Sequence, residues 1–369
     1  MKRKIIIGAG FGDEGKGLFT DYLCRTCKNP LVIRFSGGQQ AGHTVMTGGI
    51  RHIFSNFGSG TLQGAASYFS KFCTIDPVGL VNELEVLLEK GIKPLLFIDS
   101  QCPVTTPYDI RRNQHHHPHG SCGVGVGDTI NREENHYSLT FADLFYPWVL
   151  ETRFDLIRAF YQEYADISKA DFFDCCAAII DSPYIQKSYG LPQGSWSDHI
   201  YEGSQGLLLD QHYGFFPYVT RSNTGTTNAV AIAGTKSLEI YLITRAYQTR
   251  HGDGPMSNEI LPHNIKINKR ESNTTNCFQG AFRRTLLDLD LLEYAISRDN
   301  LIRSSSNRHL VITCLDHIRD EYRFIWKGHI VHSANEANFI RRIGEILGFD
   351  SVYTSASSDS AGIQRFFMK

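Results

Sequence analysis

Gly10-Phe11-Gly12-Asp13-Glu14-Gly15-Lys16-Gly17 follows an apolar run, Lys4-Ile5-Ile6-Ile7, and precedes a segment with helical spacing, Leu18-Phe19-Thr20-Asp21-Tyr22-Leu23. The order predicts a buried strand, a glycine-rich turn and a helix, which is where α/β sheets bind phosphates. Backbone amides at the helix start point toward an anion, glycines let the chain approach it, and Lys16 adds a positive charge. From Gly10 to Lys16 the spacing is that of the phosphate loop G-x-x-x-x-G-K, but Gly17 replaces the Ser or Thr whose hydroxyl usually holds Mg²⁺. Asp13, a hard oxygen donor inside the loop, is the nearest substitute ligand. We place it on a solvent-facing loop.

Outward from the loop, strands alternate with helices. Leu31–Phe35 and Pro94–Asp99 read as strands, Pro77–Lys90 as an amphipathic helix, Asn228–Arg250 as a helix closed by Gly252, and His309–Asp316 as a strand with a polar tip. The expected fold is α/β: a single large domain over 1–369 with a mostly parallel central sheet and a P-loop-like nucleotide site. A smaller subregion could occupy residues 120–200. Ligands of such sheets gather at the carboxyl ends of strands.

The composition narrows the partners. Lys plus Arg number 37 against 38 Asp plus Glu, a net charge of −1 without a basic run, which argues for small anions and against nucleic acid. No apolar stretch is long enough to span a bilayer or serve as a signal core, so a cytoplasmic protein without a membrane partner is expected. Nine cysteines, an odd number, suit reduced thiols. Cys24-x-x-Cys27 lacks a second pair at zinc spacing and reads as packing. His115-His116-His117-Pro118-His119 reads as a polar loop beside a phosphate or purine pocket, since adjacent imidazoles cannot all face one ion on a regular element.

Four further stretches are dense in glycine and polar residues: Gly37-Gly38-Gln39-Gln40-Ala41-Gly42-His43-Thr44, Glu202-Gly203-Ser204-Gln205-Gly206, Pro217-Tyr218-Val219-Thr220-Arg221-Ser222-Asn223-Thr224 and Thr249-Arg250-His251-Gly252-Asp253-Gly254-Pro255. With the opening loop, and in this order, they resemble the adenylosuccinate synthetase family, whose motifs are G-D-E-G-K-G, G-G-x-N-A-G-H-T, E-G-A-Q-G, Y-P-Y-V-T-S-S-N-T and T-R-x-G-x-G-P. The resemblance runs from residue 4 to about residue 316. It implies a carbon–nitrogen ligase of purine biosynthesis: GTP phosphorylates the 6-oxygen of inosine monophosphate (IMP), and L-aspartate then displaces the phosphate to give adenylosuccinate.

The resemblance also implies roles. Asp13 would be the base at N1 and, with the carbonyl of Gly42, a Mg²⁺ ligand. His43 would donate to the 6-oxygen or the γ-phosphoryl group, and Lys16 would neutralise charge on the transferring group. Gly12, Glu14, Gly15, Lys16, Gly17 and Asp316 would hold the triphosphate. Gln40, Ser121, Cys122, Gln205 and Thr220 would hold the monophosphate, with Gln205 also counted beside Asp13, His43 and Lys16 as catalytic, and Arg283 and Arg284 would hold the dicarboxylate. A homodimer is implied too, because the family completes its site across an interface.

The chain departs from the family pattern at several of these positions. Gln40 replaces an Asn, Ser121-Cys122-Gly123 replaces Thr-Thr-Gly, Cys314 replaces the Lys of T-K-L-D, and the Arg usually lent by the neighbouring subunit has no counterpart around His136-Tyr137. Cys314 leaves GTP and ATP both open as donors. The short length and the Phe278-Gln279-Gly280-Ala281-Phe282-Arg283 pattern are similar to a phage and archaeal sister group that includes ligases of aspartate and deoxyguanylate (dGMP). Those phage enzymes carry Ser at the loop aspartate; Asp13 here places IMP ahead of dGMP. A nucleotide-binding sensor that no longer ligates is the reading from another class.

Overall fold

The computed structural model describes residues 1–116, 121–164, 167–268, 271 and 278–368. The first half of the chain runs β1 (Lys2–Gly8), α1 (Lys16–Arg25), β2 (Pro30–Arg34), β3 (His43–Thr47), β4 (Ile50–Phe54), β5 (Ala66–Phe69), α2 (Pro77–Glu89) and β6 (Leu96–Asp99). Helices α3 (Pro107–His115), α4 (Val126–Glu134), α5 (Pro147–Phe160) and α6 (Ala170–Asp181) follow, then β7 (Ile185–Ser188), β8 (Asp198–Gly206), α7 (Thr227–Ala233), β9 (Glu239–Arg245) and β10 (Tyr247–His251). The remainder is β11 (Phe282–Asp288), α8 (Leu289–Arg298), α9 (Asn300–Ser304), β12 (Arg308–Thr313), β13 (Tyr322–Trp326), β14 (His329–Ser333), α10 (Glu336–Leu347), β15 (Val352–Thr354) and β16 (Gln364–Phe366).

A ten-stranded sheet in the order β16-β15-β12-β9-β1-β8-β2-β5-β6-β7 forms the centre, parallel throughout except for the β15/β16 edge pair. β1 is the reason the chain begins with an unbroken apolar run. Ile5 and Ile7 pack into the core on one face while Ile6 packs with Phe19 and Leu23 of α1 on the other, so both faces of this strand are covered. Each such fully buried side chain stabilises the fold by about 1.5–3 kcal/mol. A further apolar cluster joins β5 and β6 to α2, α3, α5 and α6.

Local chemistry sets the helix ends. Asp76 caps α2 by accepting from the Val78 amide, with Pro77 in the first turn, and Thr106 and Asp109 form a reciprocal capping box at α3. The helix expected over Asn228–Arg250 is corrected: α7 stops at Gly234, whose left-handed φ of +63° ends it, and β9 and β10 follow. Burial of Ile240, Leu242 and Ile243 inside the sheet decides that segment in favour of strand. Among the described residues no helix is long and apolar enough to cross a membrane.

The topology gathers chain ends at one edge of the sheet. β1, with β8 on one side and β9 on the other, delivers the loop after Gly8, Gln205 at the end of β8 and Arg245 at the end of β9 to the carboxyl edge. The β3/β4 hairpin, turned through Gly48 (φ +56°) and Gly49 (φ +81°), carries His43 at its first position.

Candidate active site

The glycine loop is held from behind by its carbonyls. Those of Gly12, Asp13 and Glu14 accept in turn from Thr249 Oγ1 (3.4 Å), Arg245 Nε (2.5 Å) and Thr313 Oγ1 (2.7 Å). Three donors from β10, β9 and β12 thus fix three successive peptides, including Asp13 at a left-handed φ of +60° that a non-glycine residue adopts only when its surroundings enforce it. Gly15, also left-handed, caps α1 without a side-chain bond, so the first amides of α1 remain open at the mouth of a large cavity.

Glu14 is turned the other way. Its carboxylate accepts from the amides of Gly10 (2.7 Å) and Gly12 (3.2 Å) and from Lys16 Nζ (3.1 Å). A Cβ at Gly8 would lie 2.1 Å from that carboxylate, so a larger residue there would displace Glu14 from its place. Glu14 therefore folds back inside the loop, and two amides expected to face a ligand are already satisfied by it.

Across the loop, His43 is gripped by Glu202. Nδ1 donates to Glu202 Oε1 at 2.6 Å, while the Ser59 amide (3.1 Å) and the Ser59 hydroxyl also donate to that carboxylate. Burial works to raise the Glu202 pKa, but His43, Arg34 and the Ser59 hydroxyl outweigh it and bring it down to about 2. Burial lowers the His43 pKa, and Glu202 opposes that shift. Because a carboxylate only accepts, Nδ1 carries a proton, and Nε2 is left buried without a partner. The same packing explains Gly17: a Cβ there would meet His43 Cβ at 2.6 Å and Ser59 Oγ at 2.9 Å, so no Ser or Thr can stand at this position.

One cavity of about 1170 Å³ collects these groups. Of the residues singled out in the sequence, Gly12, Asp13, Glu14, Gly15, Lys16 and Gly17, then Gln40, Gly42, His43, Ser121, Cys122, Gln205, Thr220 and Asp316, all line it. Asp13 is half-buried in the cavity wall, which corrects its expected place on a solvent-facing loop. Burial raises the Asp13 pKa against the pull of Arg245 and Lys16. Both polar atoms of the Gln40 side chain, and Oε1 of Gln205, are buried without partners.

Arg283 and Arg284 are not brought to the cavity. Arg283 donates to the carbonyls of Gly252 and Gly254 and pairs with Glu259, and Arg284 lies over the Phe282 ring. Arg250 and His251, one strand away, do line the cavity; Arg250 is buried and donates to the carbonyls of Asp253, Pro255 and Tyr218, and burial and Arg283 lower its pKa to about 10. Arg112 and Arg221 lie on the cavity wall that also holds Ser121, Cys122 and Thr220, paired with Asp128 and Glu134 of α4. Arg221 was signalled by the sequence, standing where the family motif has Ser. Glu202 lay within a quoted motif, whereas Arg112 and Arg245 carried no motif signal. His115 ends α3 and His116 lines the cavity; His117, Pro118 and His119 fall outside the described residues, as do Asn276 and Cys277.

The donor set at Asp13 suits Mg²⁺. No described cluster of three His, Cys, Asp or Glu side chains exists, and Mg²⁺ needs none when phosphate oxygens and water complete its shell. The Asp13 carboxylate, whose burial outweighs the pull of Arg245 and Lys16, and the Gly42 carbonyl, both in the cavity lining, would offer hard oxygens.

Comparison with known proteins gives a consistent result. Residues 5–327 match the family model described as adenylosuccinate synthetase. The adenylosuccinate synthetase of Francisella tularensis subsp. tularensis (strain WY96-3418) is 29% identical over 375 residues, spanning 94% of this chain and 86% of that protein. That of Francisella philomiragia subsp. philomiragia is 28% identical over 393 residues, spanning 98% of this chain and 91% of the relative. Fully ligated adenylosuccinate synthetase from Plasmodium falciparum aligns with a TM-score of 0.75 at 16% identity, over 98% of this chain and 99% of that one. Cyanophage S-2L succinoaminodeoxyadenylate synthetase, bound to dGMP and dATP as an energy donor, aligns with a TM-score of 0.67 at 14% identity, over 99% and 96%. These two structures speak for the fold.

Proposed function

The chain belongs to the adenylosuccinate synthetase family of carbon–nitrogen ligases, and from that premise we propose that it joins IMP to L-aspartate at the expense of GTP. The family acts on small molecules, and the cavity is polar enough and large enough to take two nucleotides side by side.

The chemistry asks for a base and a donor around one oxygen. A purine 6-oxygen is a poor leaving group until N1 loses its proton and the oxygen becomes a phosphate ester. Asp13, with its raised pKa, is suited to accept the N1 proton at neutral pH. The resulting 6-oxyanion attacks the γ-phosphorus, and the bond to the β-phosphate oxygen breaks. His43 Nε2 faces the developing charge; since Glu202 fixes the other proton on Nδ1, donation from Nε2 requires the imidazolium, which two anionic nucleotides favour. The amide groups at the start of α1 and Lys16 hold the phosphates. The aspartate amine then bonds to C6, the C6–O bond breaks, and phosphate leaves. Bound Mg²⁺, held by Asp13 and the Gly42 carbonyl, would neutralise triphosphate charge.

Ser121, Cys122, Thr220, Arg112 and Arg221 are assigned to the 5′-phosphate, Gln40 and Gln205 to the purine edge, and Arg250 and His251 to the dicarboxylate. Asp316 is assigned to the base of the donor. A homodimer is part of the proposal and is checked by sedimentation. The observation that carries the reading is the convergence of Asp13 and a Glu202-oriented His43 on one cavity, with His43 Nε2 unsatisfied.

The test is a grid: protein, aspartate and Mg²⁺ with IMP or dGMP and with GTP or ATP, followed by phosphate release and product absorbance. Release that needs both aspartate and IMP supports the reading. Turnover with dGMP alone would move the acceptor to deoxyguanylate, and binding without turnover in every cell of the grid would leave a sensor.

A further inference from the structure

Behind the cavity wall, ending at Asp316, runs a chain of side chains, Arg245, Tyr247 and His317, to which the chemistry above gives no part. Arg245 Nε donates to the Asp13 carbonyl at 2.5 Å, and its Nη1 donates to the Tyr247 hydroxyl at 2.8 Å and to Glu271 at 2.9 Å. The Tyr247 oxygen lies 2.7 Å from His317 Nδ1, and His317 Nε2 lies 3.7 Å from Asp316 Oδ2. Arg245, Tyr247 and His317 are all buried, at 5%, 2% and 6% exposure, whereas the Asp316 side chain is 42% exposed. Arg245 donates into the phenol oxygen, so the phenol proton is directed to Nδ1. The remaining imidazole proton then sits on Nε2, facing Asp316.

The chain has two ends that matter. One is the peptide of Asp13, whose left-handed backbone needs external support. The other is the carboxylate assigned to the donor base. Asp13, Arg245, His317 and Asp316 line the cavity; Tyr247 does not and can touch neither nucleotide.

Resting on the function proposed above, we propose that Tyr247 is a positioning residue that couples Asp316 to the Asp13 peptide, so that a base seated on Asp316 sets the geometry of the reacting carboxylate. The links among Arg245, Tyr247 and His317 are buried and hydrogen-bonded, and Asp316 stands at their open end at ion-pair distance, so the chain holds one arrangement well and loss of one link frees the rest. Engagement of Asp316 by a base redirects its carboxylate and fixes His317, then Tyr247 and Arg245 behind it.

The test is a double-mutant cycle of Tyr247→Phe and Asp316→Asn, read as kcat for aspartate-dependent phosphate release with GTP. We expect each single change to lower kcat about tenfold with the KM for IMP within about twofold, and the double variant to be no slower than the slower single. Losses that multiply, or a kcat for Tyr247→Phe within about twofold of the starting protein, overturn the coupling. His317→Gln breaks the same chain one link on and must reproduce the Tyr247→Phe loss, which keeps the question open to an answer should Tyr247→Phe fold poorly. If the unaltered protein ligates nothing, the proposed function fails by itself. The cycle is then read in the Kd of GTP with Mg²⁺ by calorimetry, where non-additive losses uphold the coupling and additive losses, or no binding, overturn it.

Discussion

Replacing Glu202 by Gln keeps the shape of a fully buried side chain and removes its charge. Glu202 accepts from His43 Nδ1 at 2.6 Å and from the Ser59 amide and hydroxyl, with the Arg34 guanidinium close enough to help hold its pKa at about 2. The change exchanges one charge-assisted bond to the imidazole for a neutral one. Hydrogen bonds to charged groups contribute about 1.5–3 kcal/mol, which sets a fall in kcat of about 10- to 150-fold if the bond is made chiefly in the transition state. The pH profile should move as well. Glu202 opposes the burial that lowers the His43 pKa, so without it burial, Arg34 and Lys16 act unopposed and the basic limb of kcat shifts to lower pH. Stability adds an independent sign. A carboxylate with a depressed folded pKa stabilises the protein above the ordinary carboxylate range and loses that contribution as pH falls toward about 2, so Glu202→Gln should flatten the acid limb of the melting curve. Phosphate-release kinetics across pH, with thermal melts on the same samples, provide both readings. A properly folded variant whose kcat falls less than about threefold and whose basic limb stays in place would refute the role given to the pair.

Other outcomes follow from the same geometry. Asp13→Asn should abolish turnover yet melt higher than the starting protein near neutral pH. Its raised pKa means that the ionised form penalises the fold only as pH climbs through and beyond the carboxylate range, so melts at about pH 3 should coincide; a lower melting point for Asp13→Asn near neutrality would contradict the dominance of burial over Arg245 and Lys16. Arg221→Ala should raise the KM for the monophosphate about tenfold with kcat nearly constant, and leave stability within about 1 kcal/mol because its Glu134 pair is exposed. An unchanged KM would move the 5′-phosphate elsewhere. Chelating Mg²⁺ with EDTA should remove both phosphate release and the thermal stabilisation given by GTP, and stabilisation that survives chelation would detach Asp13 from metal binding.

The sequence exposed those parts of the site that are local. The apolar run before Gly10 announced β1 because a parallel strand buried on both faces has little room for polar residues, and the amphipathic spacing over Pro77–Lys90 marked α2 to within a residue. The motifs from Gly10 to Thr220 could be gathered because the parallel sheet brings the ends of successive strands to one edge. Two kinds of information were missing. The 228–250 region was misread because apolar spacing in Ile240–Ile243 fits either period, and only sheet burial decides between them. Side-chain commitments across long separations were hidden too. Nothing local tells that Arg283 is spent on the carbonyls of Gly252 and Gly254, that Glu14 folds back on its own loop, or that Arg245 reaches a carbonyl 232 residues earlier.

Gly17 and His43 share one volume element, since any β-carbon at 17 would stand 2.6 Å from that of the histidine. A hydroxyl-bearing residue at 17 and a side chain of any kind at 43 are therefore rival tenants, with Ser59 Oγ crowding the same space at 2.9 Å. Because the nearest conflict is with the His43 β-carbon and not with the ring, exchanging the imidazole for another side chain would not open the space, and a serine at 17 demands that the start of β3 itself give way.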